Sequence, residues 1–541
     1  MKTGLVYITY ESDEYERQGE LLQVPHLGLG SIASYIEGQG FPCELISFRL
    51  SGGENEKAIG DFALESFDVL GFSLYTQNYR PTIALAKALK IRKPGLKIIL
   101  GGPHATWTHE DLIRNHEEIS AVCRHEGEKS FLELLQAIKA GESFHGISGV
   151  TFRDNGAVRA EAPGPPLDEL DSLPFPRRTF TGASRSWQER FNRSTFRTER
   201  GAVIITSRGC PFLCAFCAIT AGGKNHWSAR SSRSVEEEAR KVKALTGATH
   251  FYALDANFLV DPLRALAIGR AFKGLCCTFS FAARADQVAE NGKLMGKLRE
   301  LGCSMIEVGI ESGSQAVLDR YRKGTKVAQN ERAIAVLREH GIRLGFDFLM
   351  FMPTLTFDEL CESFAFIRRN GLYGTEPFET LAKRVELYPG TALRGEWERL
   401  NGPSDPHSLP RYHFGDGRIE ALYQGIREFM DRYYFRARER AALLRKALFP
   451  LEALIAGNPG LLERPSRRFI GKCLIECDIQ NRIAFRFFEE ALSRCASGKG
   501  AAPDEVLSAP HRERIEGFLS EFPRVMEAIM ELQVKYGSHL E

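Results

Sequence analysis

The sequence predicts an α/β protein in three parts: an N-terminal doubly wound parallel sheet, a central partial (β/α) barrel and a C-terminal helical domain. Three observations predict it. Short apolar runs alternate with amphipathic stretches over residues 1–145. The same rhythm restarts over residues 201–395. It is lost after residue 396, where long helical patterns take over. The 541 residues are enough for three domains at roughly 100–200 residues each.

In the first part the apolar runs are "GLVYITY", "CELISF", "DVLGFSLY", "LKIILGG" and "AVCRHEG". Helical patterns such as "PTIALAKALKIRKPG" and "EKSFLELLQAIKAG" separate them. Strands alternating with helices make a parallel sheet, and ligands of such sheets sit at the carboxyl ends of the strands. Residues 146–200 read as a linker carrying a hairpin, "GVTFRDNGAV", with an Asn-Gly turn, before the Pro-rich "EAPGPPLDELDSLPFPRR". In the barrel region six strands are expected: "GAVIITS", "THFYALD", "CTFSFAA", "SMIEVGIE", "IRLGFDFLMF" and "ETLAKRVEL". Chemistry in such barrels sits on the loops that follow the strands. Beyond residue 396, Arg418–Leu448 and Ser466–Cys495 read as long helices.

Composition narrows the classes of function. Lys and Arg number 71 against 69 Asp and Glu, so no global field favours nucleic acid. No apolar run approaches the ~20 residues that span a bilayer, and the N-terminus does not read as a signal peptide. Twelve cysteines are scattered, with one tight group, which suits a reducing cytoplasm and a metal-binding or catalytic role for that group.

That group is "RGCPFLCAFCAI", in which Cys210, Cys214 and Cys217 fall within eight residues just after the first barrel strand. Thiolates hold soft metals and iron–sulfur clusters. Structural zinc usually pairs two separated knuckles, and no second knuckle follows. A Cys3His zinc site with His226 is the alternative. Three thiolates also suit a four-iron, four-sulfur cluster whose fourth iron stays open, with Phe216 shielding it.

A CxxxCxxC pattern with an aromatic residue before its last cysteine, after the first strand of a βα barrel, resembles the radical S-adenosylmethionine (SAM) enzymes. The resemblance implies a [4Fe-4S] cluster on Cys210, Cys214 and Cys217, with SAM on the open iron and release of a 5′-deoxyadenosyl radical. "GIESGSQ" resembles the family's SAM-contacting strand and implies that Gly309, Glu311 and Ser312 face SAM. Glu311 has a plainer reading as a helix N-terminal charge. "AARAD" places Arg284 at the third strand's end, as a SAM contact or a structural ion pair. "LDANF" places Asp255 and Asn257 in a substrate-side loop or as helix caps. "MFMPTLTFDEL" departs from the family's G-x-P-G-E-T turn, with Met352 and Thr354 read in place of its glycines and Leu355 in place of its acid.

The first part resembles the cobalamin-binding domain that precedes some radical SAM barrels. The matching stretches are "PHLGLGSIASYIEGQGF", "GFSLYTQNYRPTIALAKAL", "LGGPHAT" and "RHEGEKSFLELL". The resemblance implies that Gly101 and Gly102 let a nucleotide tail approach the backbone and that Ser73, Thr76 and Gln77 hydrogen-bond it. The Asp-x-His-x-x-Gly cobalt-ligand motif is lacking: Val24 and Leu29 flank His26, which reads as structural.

Together these resemblances imply a cytoplasmic enzyme that activates a substrate carbon, with methyl transfer from methylcobalamin as the leading outcome. A rearrangement or ring-forming oxidoreductase of the same family is the alternative, and a cobalamin and iron–sulfur sensor is the reading from another class. The implied partners are a small-molecule or peptide substrate and a reductant such as flavodoxin or ferredoxin, without nucleic acid. Cys473, Cys477 and Cys276–Cys277 read as packing residues, and the Arg-rich "YYFRARERAALLRKALFPLEALIAG" as an amphipathic helix.

Overall fold

The computed structural model describes residues 1–10, 26–50, 55–181, 201–223, 225–373, 378–457 and 462–536. The end of the expected linker, residues 182–200, lies outside the described residues.

The N-terminal sheet has seven strands: β1 (Thr3–Tyr10), β2 (Cys43–Leu50), β3 (Val69–Ser73), β4 (Lys97–Gly101), β5 (Ala121–Cys123), β6 (Val150–Asp154) and β7 (Ala157–Ala160). Their order is β2-β1-β3-β4-β5-β6-β7. The first five run parallel, and the last two are the expected hairpin, added antiparallel at the sheet's edge. Asn155 and Gly156 take the positive φ values that its turn requires. Every residue of β3 is buried, because helices cover both faces. Leu5, Ile99 and Phe131 belong to the core on one face, and Val6, Phe72 and Ile98 to that on the other. The strand order reverses direction between β1 and β3, which puts a natural ligand crevice at their carboxyl ends.

The linker then crosses this domain. Arg177 N–H donates to the Gly30 carbonyl at 3.1 Å, and Thr181 N–H to that of Leu45 at 2.8 Å.

The second sheet contains β8 (Gly201–Ile204), β11 (His250–Ala253), β12 (Thr278–Arg284), β13 (Cys303–Glu311) and β14 (Arg343–Phe348), all parallel and in chain order. Between β8 and β11 lies a two-stranded antiparallel ribbon, β9 (Ser207–Gly209) with β10 (Trp227–Ala229). The expected strand "GAVIITS" covers β8 and runs on only to Ser207, the first residue of β9, and nothing in the periodicity marks the ribbon.

The sixth expected strand, "ETLAKRVEL", is corrected. Its start is a short helix, Phe378–Leu381, and its pairing reduces to a single bridge between Arg384 and Phe351. The C-terminal helices override its strand pattern. Phe378 N–H donates to the Tyr434 hydroxyl and to Asn481 Oδ1, each at 2.8 Å, and Glu379 accepts from Tyr434 at 2.7 Å. Phe378 and Leu381 are buried in the core shared with those helices.

The C-terminal region is helical, including Gly417–Phe429, Phe435–Gly457, Arg464–Ala496 and Ala509–Lys535. A single π turn, Met430–Tyr434, interrupts the long helix expected from residue 418. Cys473 and Cys477 are buried in an apolar cluster with Leu444, Ile470 and Ile529, so they pack rather than form a second metal group. No helix among the described residues is long and apolar enough to cross a membrane.

Candidate functional site

The three clustered thiols sit on a loop braced from outside. Cys210 directly follows β9, and β10 returns ten residues after Cys217 to close the ribbon. Within the loop, Cys217 N–H donates to the Cys214 carbonyl at 3.1 Å. Ala215, buried, donates its N–H to Tyr321 at 2.8 Å and accepts from Leu393 N–H at 2.9 Å. Phe216 meets Tyr321 edge-on, with ring centroids 5.1 Å apart. The loop is therefore pinned at its middle to the segment after β13 and to the start of the helix Ala392–Asn401.

Two cations face these thiols. Arg284, at the end of β12, stands 3.7 Å from Cys214 Sγ and 3.8 Å above the Phe212 ring. It is also held by Asp286 at 2.8 Å and the Lys323 carbonyl at 2.6 Å. Arg284 thus forms the structural ion pair, and its other end reaches the cysteine loop. Lys323 Nζ lies 2.9 Å from Glu311 Oε1, with both side chains buried. Burial pushes the Cys210 and Cys214 thiols upward, and these two cations pull the other way. Burial also raises Glu311, against the pull of Lys323, while for Lys323 the attraction of Glu311 overcomes burial and holds its pKa up.

Glu311 ends β13 with φ +61°, a left-handed conformation costly for a residue with a side chain. The register against β14 slips between Gly309 and Glu311. Gly309 makes room for the ion pair: a Cβ there would lie 2.7 Å from Lys323 Nζ and 2.8 Å from Glu311 Oε1. Glu311 is not a helix cap, since the next helix begins at Gln315. Ser312 goes elsewhere, its hydroxyl bonded to Ser363 at 2.9 Å.

The β11 loop separates its two polar residues. Asp255 accepts from Thr206 N–H at 2.7 Å and from the Thr206 and Ser207 hydroxyls at 2.5 Å each, tying β8 to β11. Asn257 is fully buried, and its carboxamide has no hydrogen-bond partner among the described residues. Neither caps the following helix; Asp261 does, accepting from Leu263 and Arg264 N–H. The "PTLTFDEL" turn is a capping box in which Thr356 and Glu359 exchange bonds. His226, the candidate zinc ligand, instead faces Asp168 at 2.9 Å.

A cavity of about 240 Å³ opens at the carboxyl ends of β3 and β4. Ser73, Gly101, Gly102 and Phe131 line it from the N-terminal domain, and Ile205 and Arg208 from the barrel. Gly102 has φ +94°. His26 also lines it, yet both its ring nitrogens are engaged. Nδ1 accepts from Leu29 N–H at 3.0 Å, and Nε2 meets Ser73 Oγ at 2.9 Å. Burial lowers its pKa to about 4. Thr76 and Gln77 do not line this cavity: Thr76 bonds His104 at 2.9 Å, and Gln77 reaches Tyr388 at 3.3 Å.

Two interdomain contacts were not visible in the sequence. Arg208, two residues before Cys210, donates to Glu128 at 2.6 Å and to Ser31 at 3.1 Å. Downstream, Gly222 N–H donates to Gly390 at 3.0 Å, and Trp107 lies over this pair. A Cβ on Gly222 or Gly390 would fall 2.4 or 2.5 Å from the indole. Gly390→Ala is therefore expected to cost ~1–3 kcal/mol from overpacking. The checks are a lower urea midpoint and a red-shifted Trp107 fluorescence, with Gly390→Ala/Trp107→Leu recovering part of the loss.

Comparisons with known proteins agree with this architecture. Residues 204–367 match the Radical SAM superfamily model and residues 21–135 the B12 binding domain model, just over half of the chain together. An uncharacterised methyltransferase of Pyrococcus horikoshii is 28% identical over 379 residues, 69% of this chain and 78% of that protein. The anaerobic magnesium-protoporphyrin IX monomethyl ester cyclase of Synechocystis is 24% identical over 59% of this chain and 63% of its own length. The hopanoid C-3 methylase of Methylococcus capsulatus is 24% identical over 61% of each. Among solved structures, the cobalamin-dependent SAM radical enzyme OxsB with aqua-cobalamin and SAM bound superposes with TM-score 0.67 at 19% identity. It covers 97% of this chain and 84% of that one. The radical SAM methyltransferase TsrM of Kitasatospora setae gives 0.56 at 17% identity, over 74% and 76%.

The two domains bring a [4Fe-4S] cluster, SAM and cobalamin as cofactors. The residues present fit them. Three soft sulfur donors share one short loop that two cations reach, a fully buried carboxamide lies unpaired in a loop at the barrel mouth, and a cavity adjoins the sheet's switch point. The cavity, the thiol loop and the matches over residues 21–135 and 204–367 place the chain in the family of cobalamin-dependent radical SAM enzymes.

Proposed function

We propose that the chain is a C-methyltransferase whose cobalamin and cluster sites adjoin at the interface between the N-terminal sheet and the barrel. The observation that carries this reading is the cavity wall itself. Ile205 and Arg208 of the barrel close a cavity built by Ser73, Gly101 and Gly102, and Cys210 follows Arg208 by two residues. When bound, the cluster with SAM supplies a carbon-centred radical and the cobalamin supplies a methyl group.

The chain's own residues divide the remaining work. Cys210, Cys214 and Cys217 hold the cluster, and Phe216 with Tyr321 screens it from water. Arg284 and Lys323 offset the thiolate charge, and Lys323 also counters the burial that raises the Glu311 pKa. Glu311 and Gly309 shape the SAM side of β13, with Ser312 positioning the turn through Ser363 rather than touching the ligand. Ser73, Gly101 and Gly102 receive the nucleotide tail of cobalamin, while Thr76 and Gln77 turn away from the cavity to His104 and Tyr388. The substrate is a small molecule or peptide, the electron donor a flavodoxin or ferredoxin, and the compartment the reducing cytoplasm.

The cyclase relatives keep ring formation as the second reading. Reconstituted, reduced protein is expected to convert SAM to 5′-deoxyadenosine and to move label from methyl-labelled SAM into a product heavier by one methylene. Turnover with a product lacking that methylene moves the assignment to ring formation or rearrangement. No 5′-deoxyadenosine at all ends the radical reading.

A further inference from the structure

The proposed methyl transfer gives no role to His26, although its ring lines the cavity beside Ser73. The ring bridges two elements. Nδ1 accepts from Leu29 N–H at 3.0 Å and so caps the helix Leu27–Gly38, while Nε2 lies 2.9 Å from Ser73 Oγ at the end of β3. Tyr7 of β1 meets the ring edge-on, with centroids 4.7 Å apart, and holds its tilt.

The backbone decides where the ring proton sits. An amide N–H only donates, so Nδ1 accepts and bears no hydrogen. The ring's hydrogen is then on Nε2, which donates to Ser73 Oγ. Burial favours the same neutral form, lowering the His26 pKa to about 4. With both nitrogens spent, neither offers a lone pair to cobalt.

Ser73 Oγ accepts from the ring, so its own hydrogen points elsewhere. Two directions remain. One is the Tyr75 hydroxyl, which also lies 3.4 Å from His26 Nε2 and is not part of the cavity wall. The other is the cavity. Ser73 stands against Gly102 there, where a Cβ would fall 3.1 Å from its Oγ. Ser73 is buried, and a buried hydroxyl hydrogen calls for an acceptor. The cavity runs into the apolar core at Leu5, Ile99 and Phe131, and its volume of about 240 Å³ suits a slender tail rather than a corrin ring.

We propose that His26 is a positioning residue for the cofactor: it fixes Ser73 so that the Ser73 hydroxyl donates to an acceptor atom of the cobalamin nucleotide tail. This rests on the cavity being the cobalamin site.

The test is a spectrophotometric titration of the full-length protein with hydroxocobalamin and with cobinamide, the corrin that lacks the nucleotide tail. For hydroxocobalamin, Ser73→Ala and His26→Asn are each expected to weaken binding ~10-fold, the scale of one hydrogen bond. Asparagine keeps the helix cap and gives up the reach to Ser73. The double variant binds no more weakly than either single one, because both break the same link. Tyr75→Phe binds at least as tightly as wild type. Cobinamide binds all of these proteins alike. Equal losses for cobinamide, additive losses in the double variant, a Tyr75→Phe loss matching that of Ser73→Ala, or wild-type binding by His26→Asn overturn the proposal. So does a nitrogen coupling on the cobalt(II) electron paramagnetic resonance signal that vanishes in His26→Asn, since it would make His26 a cobalt ligand. If the wild-type protein binds no hydroxocobalamin, the reading of the cavity fails instead. The order of bonds is then judged by nitrogen chemical shifts of 15N-histidine-labelled protein, where a proton on His26 Nδ1 overturns it.

Discussion

Cys214→Ala is expected to assemble no cluster and to cleave no SAM above background, while binding cobalamin with near wild-type affinity. Cys214 is the thiol that Arg284 reaches at 3.7 Å, in a loop also held by backbone bonds and by the Phe212 and Phe216 rings. The Ala215 bonds to Tyr321 and Leu393 do not involve the sulfur, so the loop keeps its path when the thiol is lost. The remaining two thiols leave two irons without protein ligands. Losing a ligand outright exceeds the ~10–100-fold that a supporting residue costs a metal site. The cavity is lined by Arg208, not by Cys214, which is why the two affinities separate. Broad absorption after anaerobic reconstitution, 5′-deoxyadenosine yield and cobalamin titration check the three parts. SAM cleavage surviving in this variant would remove the cysteine loop from the chemistry.

The second large effect lies at Arg208. Its partner Glu128 has a side chain only 3% exposed, while Arg208 is 25% exposed. Arg208→Met strands that carboxylate in the interface, and breaking a buried pair from one side costs ~3–5 kcal/mol. The Ser31 hydroxyl still donates to Glu128 at 2.8 Å, which places the expected loss near the lower end, ~3 kcal/mol. Arg208→Met/Glu128→Gln removes both charges and is expected to recover most of it. Urea unfolding of the wild type, Arg208→Met, Glu128→Gln and the double variant measures the cycle. An Arg208→Met midpoint equal to wild type would mean that the interface tolerates an unpaired acid by admitting water.

What the sequence revealed was what is local. The three thiols lie within one turn-and-loop segment, the βα rhythm repeats within a few residues, and "GIESGSQ" marks the end of β13 by itself. The missing pieces are brought together by the fold. Lys323 stands twelve residues beyond Glu311, in "YRKGT", and becomes its partner only because the chain folds back after the helix Gln315–Arg320. Arg208 adjoins the motif, yet its acids are 80 and 82 residues away. Trp107, one residue past "GGPHAT", gives no sign in sequence of the two glycines beneath it. The sixth strand failed because alternation cannot see that Phe378 and Leu381 have C-terminal helices to bury against.

The fastening of the thiol loop at both ends sets the rate at which it is laid bare. Arg208 holds it upstream, and Trp107 over Gly222 and Gly390 holds it downstream. Local fraying of the barrel's rim is therefore not enough to free it; the N-terminal sheet has to lift away. Deuterium uptake by the amide of Ala215, buried and bonded to the Tyr321 carbonyl, should then follow the slow opening of the two domains, sharing a rate with the helix Glu128–Ala140.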